Sequence, residues 1–304
     1  MAAPSISARG RGFEMKRGLV MAGTLMANLS LCGCTVLQPV RHGERIVSID
    51  YCADQMLLGL VARDRIAAVS VEADNDPGFA APLAHGLPRI RADAERILAL
   101  RPTLVVRSYA GGPRLAAALR RAGVAVYTLP YVASPHDVSA AMTSSGQALG
   151  AERAATARGA EWRASVARAQ SLARGGGTAL YLTPGDVTSG PDSFVARLIG
   201  MAGYASYDGR PGWNRLPLEA IAARPPALVV RAFFDSKANR QDRWSSSSHA
   251  VLRRALAGRA SVDIPGGEVA CGNWLAGRAL DRLVVARHFS LAFPTRKRAR
   301  RGQP

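Results

Sequence analysis

The chain has 304 residues, 48% hydrophobic and 20% charged, which is enough apolar mass for a sizeable core and too little charge for a disordered chain. Its net charge is +18, yet the basic residues are scattered arginines, with lysine only at Lys16, Lys237 and Lys297, and no nucleic-acid-binding module gathers them on one face. The densest basic cluster, Arg296-Lys297-Arg298-Ala299-Arg300-Arg301, reads as a solvated tail.

The first predicted element is an export segment. Met15-Lys16-Arg17 supplies a basic start, Gly18–Leu31 an apolar run shorter than the ~20 residues of a membrane span, and Leu31-Cys32-Gly33-Cys34 a small-residue cleavage pattern. Cys34 after Gly33 resembles the lipobox of bacterial lipoproteins and is the candidate acylated residue. A plain cleaved signal or an uncleaved anchor is the alternative. Residues 1–34 are therefore set apart as an N-terminal extension and signal or lipoprotein segment, with 35–44 as a linker.

From residue 45 strands and short helices alternate. Arg45–Ile49 reads as a buried strand, Asp54–Val61 as a helix, Arg65–Val71 as a strand, and Asp93 as the N-cap of a helix running to Leu100. Thr103–Arg107 is a strand, Leu115–Ala122 a helix and Val124–Leu129 a strand. Between His136 and Arg174 no strand signal occurs. Ala-rich helical spacing runs through it with a break near Gly150, and Glu152–Ala173 alone predicts a helix of roughly 33 Å at 1.5 Å per residue. Thr178–Thr183 then reads as a strand, Ser193–Met201 as a helix, Pro217 as first-turn proline of a helix carrying Glu219, Ala227–Phe233 as a strand, His249–Ala257 as a helix, Ser261–Ile264 as a strand and Trp274–Phe289 as a closing helix. The order predicts an α/β protein of two Rossmann-like lobes with parallel sheets, at 45–133 and 176–293, joined by a helical hinge at 134–175, with a ligand cleft between the lobes and a tail at 294–304. A stiff helical joint permits only small relative motions.

The two lobes share a phrase. Glu95–Arg107 and Glu219–Arg231 are identical at eight of thirteen positions, which places one carboxylate, Glu95 or Glu219, at the same point of each lobe.

These features together resemble the helical-hinge class of periplasmic substrate-binding proteins, which serve ABC importers of cobalamin, haem and ferric siderophores. The residues that carry the resemblance are Arg45–Ile49 with Asp54–Leu58, Asp64–Ser70, the Glu95–Val106 phrase, the hinge helix and the late Cys271-Gly272. The resemblance covers about Arg45 to Phe289. It implies a periplasmic solute-binding component that hands an iron chelate or cobalamin to a permease dimer, without being an enzyme and without a resident cofactor or metal site, the metal arriving inside the ligand. It further implies a monomer with no nucleic-acid partner, and assigns Glu95 and Glu219 to docking on the permease. A carboxylate at a helix start is favoured by the helix dipole, and it suits bidentate arginine contacts. Local helix stabilisation alone is the competing account.

Ligands of open α/β sheets sit beyond the carboxyl ends of the strands. The cleft candidates are accordingly Tyr51, Cys52 and Asp54 after the first strand, Arg107 and Tyr109 after the third, and Tyr131 after the fourth. The second lobe offers Ser189, Arg231, Phe233, Phe234, Trp244, Cys271 and Trp274. Arg107 and Arg231 are expected to meet anionic groups of the chelate. For Cys52 and Cys271, which depart from the family pattern, three readings stay open: a cross-lobe disulfide, two thiols touching ligand, or unrelated small fillers. An enzyme related to metal chelatases on the same plan, a binder of bare metal ions and a scaffold lipoprotein are the alternatives. The five histidines are dispersed, and no HExxH pair, G-x-S-x-G elbow or Walker loop occurs.

Overall fold

The computed structural model describes residues 43–173, 175–235 and 250–292. The first lobe is a five-stranded parallel sheet of order β3-β2-β1-β4-β5, with β1 at Ile46–Ser48, β2 at Ile66–Ser70, β3 at Arg89–Ile90, β4 at Leu104–Arg107 and β5 at Ala125–Thr128. Helices α1 (Tyr51–Leu60), α2 (Ala80–Leu83), α3 (Ala94–Ala99) and α4 (Gly112–Arg121) connect the strands. The predicted order holds, and the differences have local causes. Helix α1 starts three residues before the expected Asp54, because the Asp50 carboxylate accepts a hydrogen bond from the Ala53 amide (3.0 Å) and caps the helix there. Asp93 caps α3 as expected, accepting from the Arg96 amide.

Helices α5 (Val138–Ala148) and α6 (Glu152–Leu172) follow, broken at Gly150, which has a φ of 56°. The 21-residue α6 buries one stripe, Ala155, Gly159, Trp162, Ser165 and Ala169, at helical spacing. It is braced on both lobes. Arg158 donates to the Gly59 carbonyl of α1, while Arg168 pairs with Asp281 of the closing helix at 2.7 Å.

The second lobe is a four-stranded parallel sheet of order β11-β10-β6-β8: β6 at Thr178–Leu182, β8 at Ala205–Ser206, β10 at Leu228–Ala232 and β11 at Ala260–Ile264. An antiparallel pair, β7 (Val187–Ser189) and β9 (Trp213–Arg215), stands beside it. Its helices are α7 (Phe194–Met201), α8 (Leu218–Ala223), α9 (Ala250–Leu256) and α10 (Ala276–Ala292). Pro217 lies just ahead of α8, where its carbonyl accepts from the Ile221 amide. Helix α10 begins two residues later than expected because Trp274 is taken up by packing against the first lobe.

The shared phrase is one structural unit used twice. Residues 94–99 and 218–223 are helices, and 104–107 and 228–231 lie in the strands that follow, β4 and β10. Alternation along these strands sorts the core. Leu104 and Val106, Leu228 and Val230, and Ala179 and Tyr181 all join one cluster that runs continuously through both lobes. Val105 joins a separate outer cluster of the first lobe. Val229, Leu180 and Leu182 join the outer cluster of the second.

Candidate functional site: an aromatic cavity between the lobes

Each sheet reverses its winding beside its first strand, between β1 and β4 and between β6 and β10. Loops on either side of such a switch point diverge and leave a crevice. The crevices of the two lobes face one cavity of about 500 Å³, lined by Cys52, Ser108, Tyr109 and residues 129–133 from the first lobe and by Tyr181, residues 192–195, Trp213, Phe233 and residues 269–272 from the second. Three rings are unusually open for their size: Tyr131 is 92% exposed, Trp213 62% and Tyr109 58%. Asp192 is the one carboxylate of the lining among the described residues, and it accepts from the Gly212 amide at 2.7 Å.

The first-lobe wall is held by two carboxylates, the buried Asp50 and the half-buried Glu72. Asp50 accepts from the Ser108 amide (2.6 Å) and hydroxyl (2.7 Å) and from the amides of Tyr109 and Ala110 (both 3.2 Å), which ties the β4 loop to the start of α1. The Tyr109 hydroxyl donates to the Glu72 carboxylate, which also accepts from the Tyr51 amide at 2.9 Å. Burial, then the Glu72 hydrogen bond and charge, pushes the Tyr109 phenol above its ordinary range. Tyr51 is raised too, first by burial and then by the charges of Asp76 and Asp235. On the second-lobe wall Phe233 has a φ of 65°, and a Cβ on Gly266 would meet its ring at 2.4 Å, so that glycine is what makes room for the ring.

The back of the cavity is a clasp between the lobes. Cys52 and Cys271 form a disulfide, with Cα atoms 5.3 Å apart, which decides among the three readings of these residues. Beside it the Gln55 amide donates to Asp76 (2.8 Å) and to the Gly267 carbonyl (2.9 Å), while Asn273 donates to the Gln55 oxygen (2.7 Å). Trp274 packs edge-on against Phe79, with Arg158 over its ring.

Of the residues expected at the cleft, Cys52, Tyr109, Tyr131, Phe233 and Cys271 line the cavity. Tyr51 lines a neighbouring space of about 250 Å³ that shares Tyr109 and Phe233 with it. Others are elsewhere. Asp54 is fully buried, accepting from Ser48 and from the amide and hydroxyl of Ser70. Ser189 and Trp274 are each 2% exposed and belong to the frame. Arg107 folds back on the carbonyls of Gly112 (2.6 Å) and Tyr109 (3.3 Å). Arg231 stacks on Phe234 and pairs with Asp263 at 3.3 Å, and Arg231 and Phe234 line a separate depression. Both arginines share strand parity with Val105 and Val229, whose side chains point to the outer clusters. The same rule brings in Tyr181, absent from the sequence-based candidates, since it shares parity with Ala179 of the common cluster. Trp213 and Phe194 are likewise absent from them: Trp213 lies on a three-residue strand too short to register, while Phe194 opens the expected helix over 193–201, which points to no cleft by itself. Trp244 and Cys34 lie outside the described residues. Glu95 and Glu219 are exposed in the first turns of α3 and α8.

Two parallel-sheet lobes joined by a long helix, with an aromatic cavity at their facing switch points, define a two-lobed ligand-binding protein. The sequence profile of periplasmic binding proteins matches residues 46–243, well over half of the chain, and the chain belongs to that family. Its fold is shared with the periplasmic heme-binding protein RhuT from Roseiflexus sp. RS-1 in apo form, at 22% identity over 81% of this chain and 98% of that one, TM-score 0.64. It is shared with the periplasmic heme-binding protein HutB of Vibrio cholerae at 20% identity, 83% and 99% coverage, TM-score 0.64. It is shared also with the vitamin B12-binding protein BtuF of Vibrio cholerae at 17% identity, 82% and 98% coverage, TM-score 0.58. No curated protein sequence matches the chain.

Proposed function

We propose that this protein is the solute-binding component of an ABC importer, anchored at the membrane through an acylated Cys34, that captures an iron chelate (siderophore or haem) or cobalamin in the periplasm and delivers it to a permease dimer. Within that class a haem-like chelate fits best. The observation that carries this reading is the convergence of Tyr109, Tyr131 and Trp213, all well exposed, on one cavity of about 500 Å³. Flat aromatic faces and a nearly uncharged lining suit a planar apolar chelate better than a highly charged siderophore. A corrinoid with its nucleotide loop is much bulkier than a porphyrin. The Tyr131 hydroxyl has no partner among the described residues, and a tyrosine oxygen is a competent ligand of ferric haem iron. The haem-binding structures of the same fold support the same choice.

Delivery rests on Glu95 and Glu219, which make no ion pair among the described residues and so keep their charges available to arginines of a permease. Purified protein titrated with haem, a ferric siderophore and cobalamin should quench tryptophan fluorescence with haem most strongly, and Tyr131→Phe should shift the haem absorption band. Silence with all three ligands sinks the ligand class. The double variant Glu95→Arg/Glu219→Arg should abolish uptake while keeping affinity. Loss of affinity instead would contradict the docking role.

A further inference from the structure

We propose that the wall of the interlobe cavity holds a donor subsite for an anionic group of the ligand, drawn from the Tyr181 hydroxyl and the free amides of Phe194 and Val195 at the start of α7. The proposal rests on the chelate-binding reading above and adds to it the kind of group the chelate must carry.

Tyr181 lines the cavity, yet it is only 2% exposed, and its hydroxyl has no hydrogen-bond partner among the described residues. The hydroxyl is not sealed away, so a group in the cavity can reach it, and a polar atom with no protein partner at a cavity wall is completed by what the cavity holds. Burial pushes the phenol above its ordinary range, so it stays protonated and can only serve an anion as donor. The second observation is independent. Helix α7 is capped by Ser193, whose hydroxyl accepts from the Ala196 amide at 3.1 Å and whose carbonyl accepts from the Arg197 amide at 3.1 Å. The amides of Phe194 and Val195 are left without partners among the described residues, and both residues line the same cavity. Free amides at a helix N-terminus attract negative charge.

No arginine or lysine among the described residues lines this cavity, so these donors are its source of positive potential. Asp192 bounds the choice from the other side. Its carboxylate is engaged by the Gly212 amide but still repels a second negative charge. The subsite therefore suits a monoanionic oxygen such as one carboxylate, and it disfavours a phosphate dianion.

The test uses 8-anilinonaphthalene-1-sulfonate and N-phenyl-1-naphthylamine, dyes with the same rings that differ by the sulfonate. The wild-type protein should prefer the sulfonate dye. Tyr181→Phe should weaken that dye by roughly tenfold, the scale of one hydrogen bond to a charged group, and leave the neutral dye within about twofold. Val195→Pro deletes one amide at a first-turn position that tolerates proline, and should reduce the same preference. No preference in the wild type, or an equal loss for both dyes, overturns the subsite. A parallel titration compares haem with haem dimethyl ester. If haem fails to bind while the dye preference responds to Tyr181→Phe, the ligand class falls and the subsite stands.

Discussion

Asp50 and Asp54 lie one helical turn apart at the start of α1 and are both fully buried, yet they play different parts. Asp50 gathers amide and hydroxyl donors from the β4 loop and fixes a wall of the cavity. Asp54 turns into the first lobe. Burial lifts its carboxyl from 3.8 to about 6, although Ser48 and Ser70 donate to it and pull the other way. The folded protein thus holds a proton that the unfolded chain gives up as the pH climbs from about 4 to about 6. The stability this group contributes is complete below the unfolded value and is lost as pH rises through the folded one, by roughly 3 kcal/mol for two units. Denaturant midpoints of wild type and Asp54→Asn across pH 4–8 should diverge in that sense, the asparagine variant gaining relative stability toward high pH. Parallel curves would refute the assignment.

At the scale of elements, the close approach of α1 to the second lobe depends on Gly59. A Cβ there would lie 2.2 Å from the Trp274 ring, so Gly59→Ala must displace the indole. Overpacking of this kind costs about 1–3 kcal/mol, partly offset by the better helix propensity of alanine, about 1 kcal/mol. A lower thermal midpoint together with altered Trp274 fluorescence is expected. A midpoint at or above that of wild type counts against the clasp as a tight joint. Most elements are legible in the amino-acid sequence, because buried parallel strands read as short runs of Val, Ile and Leu and α6 as a long alanine-rich pattern. β3 and β8 are two residues each and α2 four, too short for any period to register. The cleft is legible only in part. Strand ends locate the loops, but they do not say which face a side chain takes. Parity does, and the repeated phrase carries it: Val105 and Arg107, like Val229 and Arg231, must share a face. Applied there, the rule removes both arginines from the cleft, and applied to β6 it adds Tyr181. The Gln55–Asn273 contact spans 218 positions and has no sequence signal at all.

For the molecule as a whole, the disulfide closes a ring across 219 positions of sequence, from the first helix of one lobe to the last loop of the other. Chain-entropy arguments give roughly 5 kcal/mol for a loop of this size. Cys52→Ser/Cys271→Ser should lose up to that much in denaturant unfolding, and wild type treated with a dithiol should approach the variant. An unchanged midpoint would mean that the bond is dispensable to stability. The clasp around it has a mechanical consequence as well. Glu95 and Glu219 lie exposed in the first turns of α3 and α8, one in each lobe, and the disulfide joins those two lobes. Cys271 is one half of that bond, and residues 269–272 are also a wall of the cavity. One covalent bond thus both welds the lobes together and pins part of the cavity's own lining, so whatever loosens the weld loosens that wall.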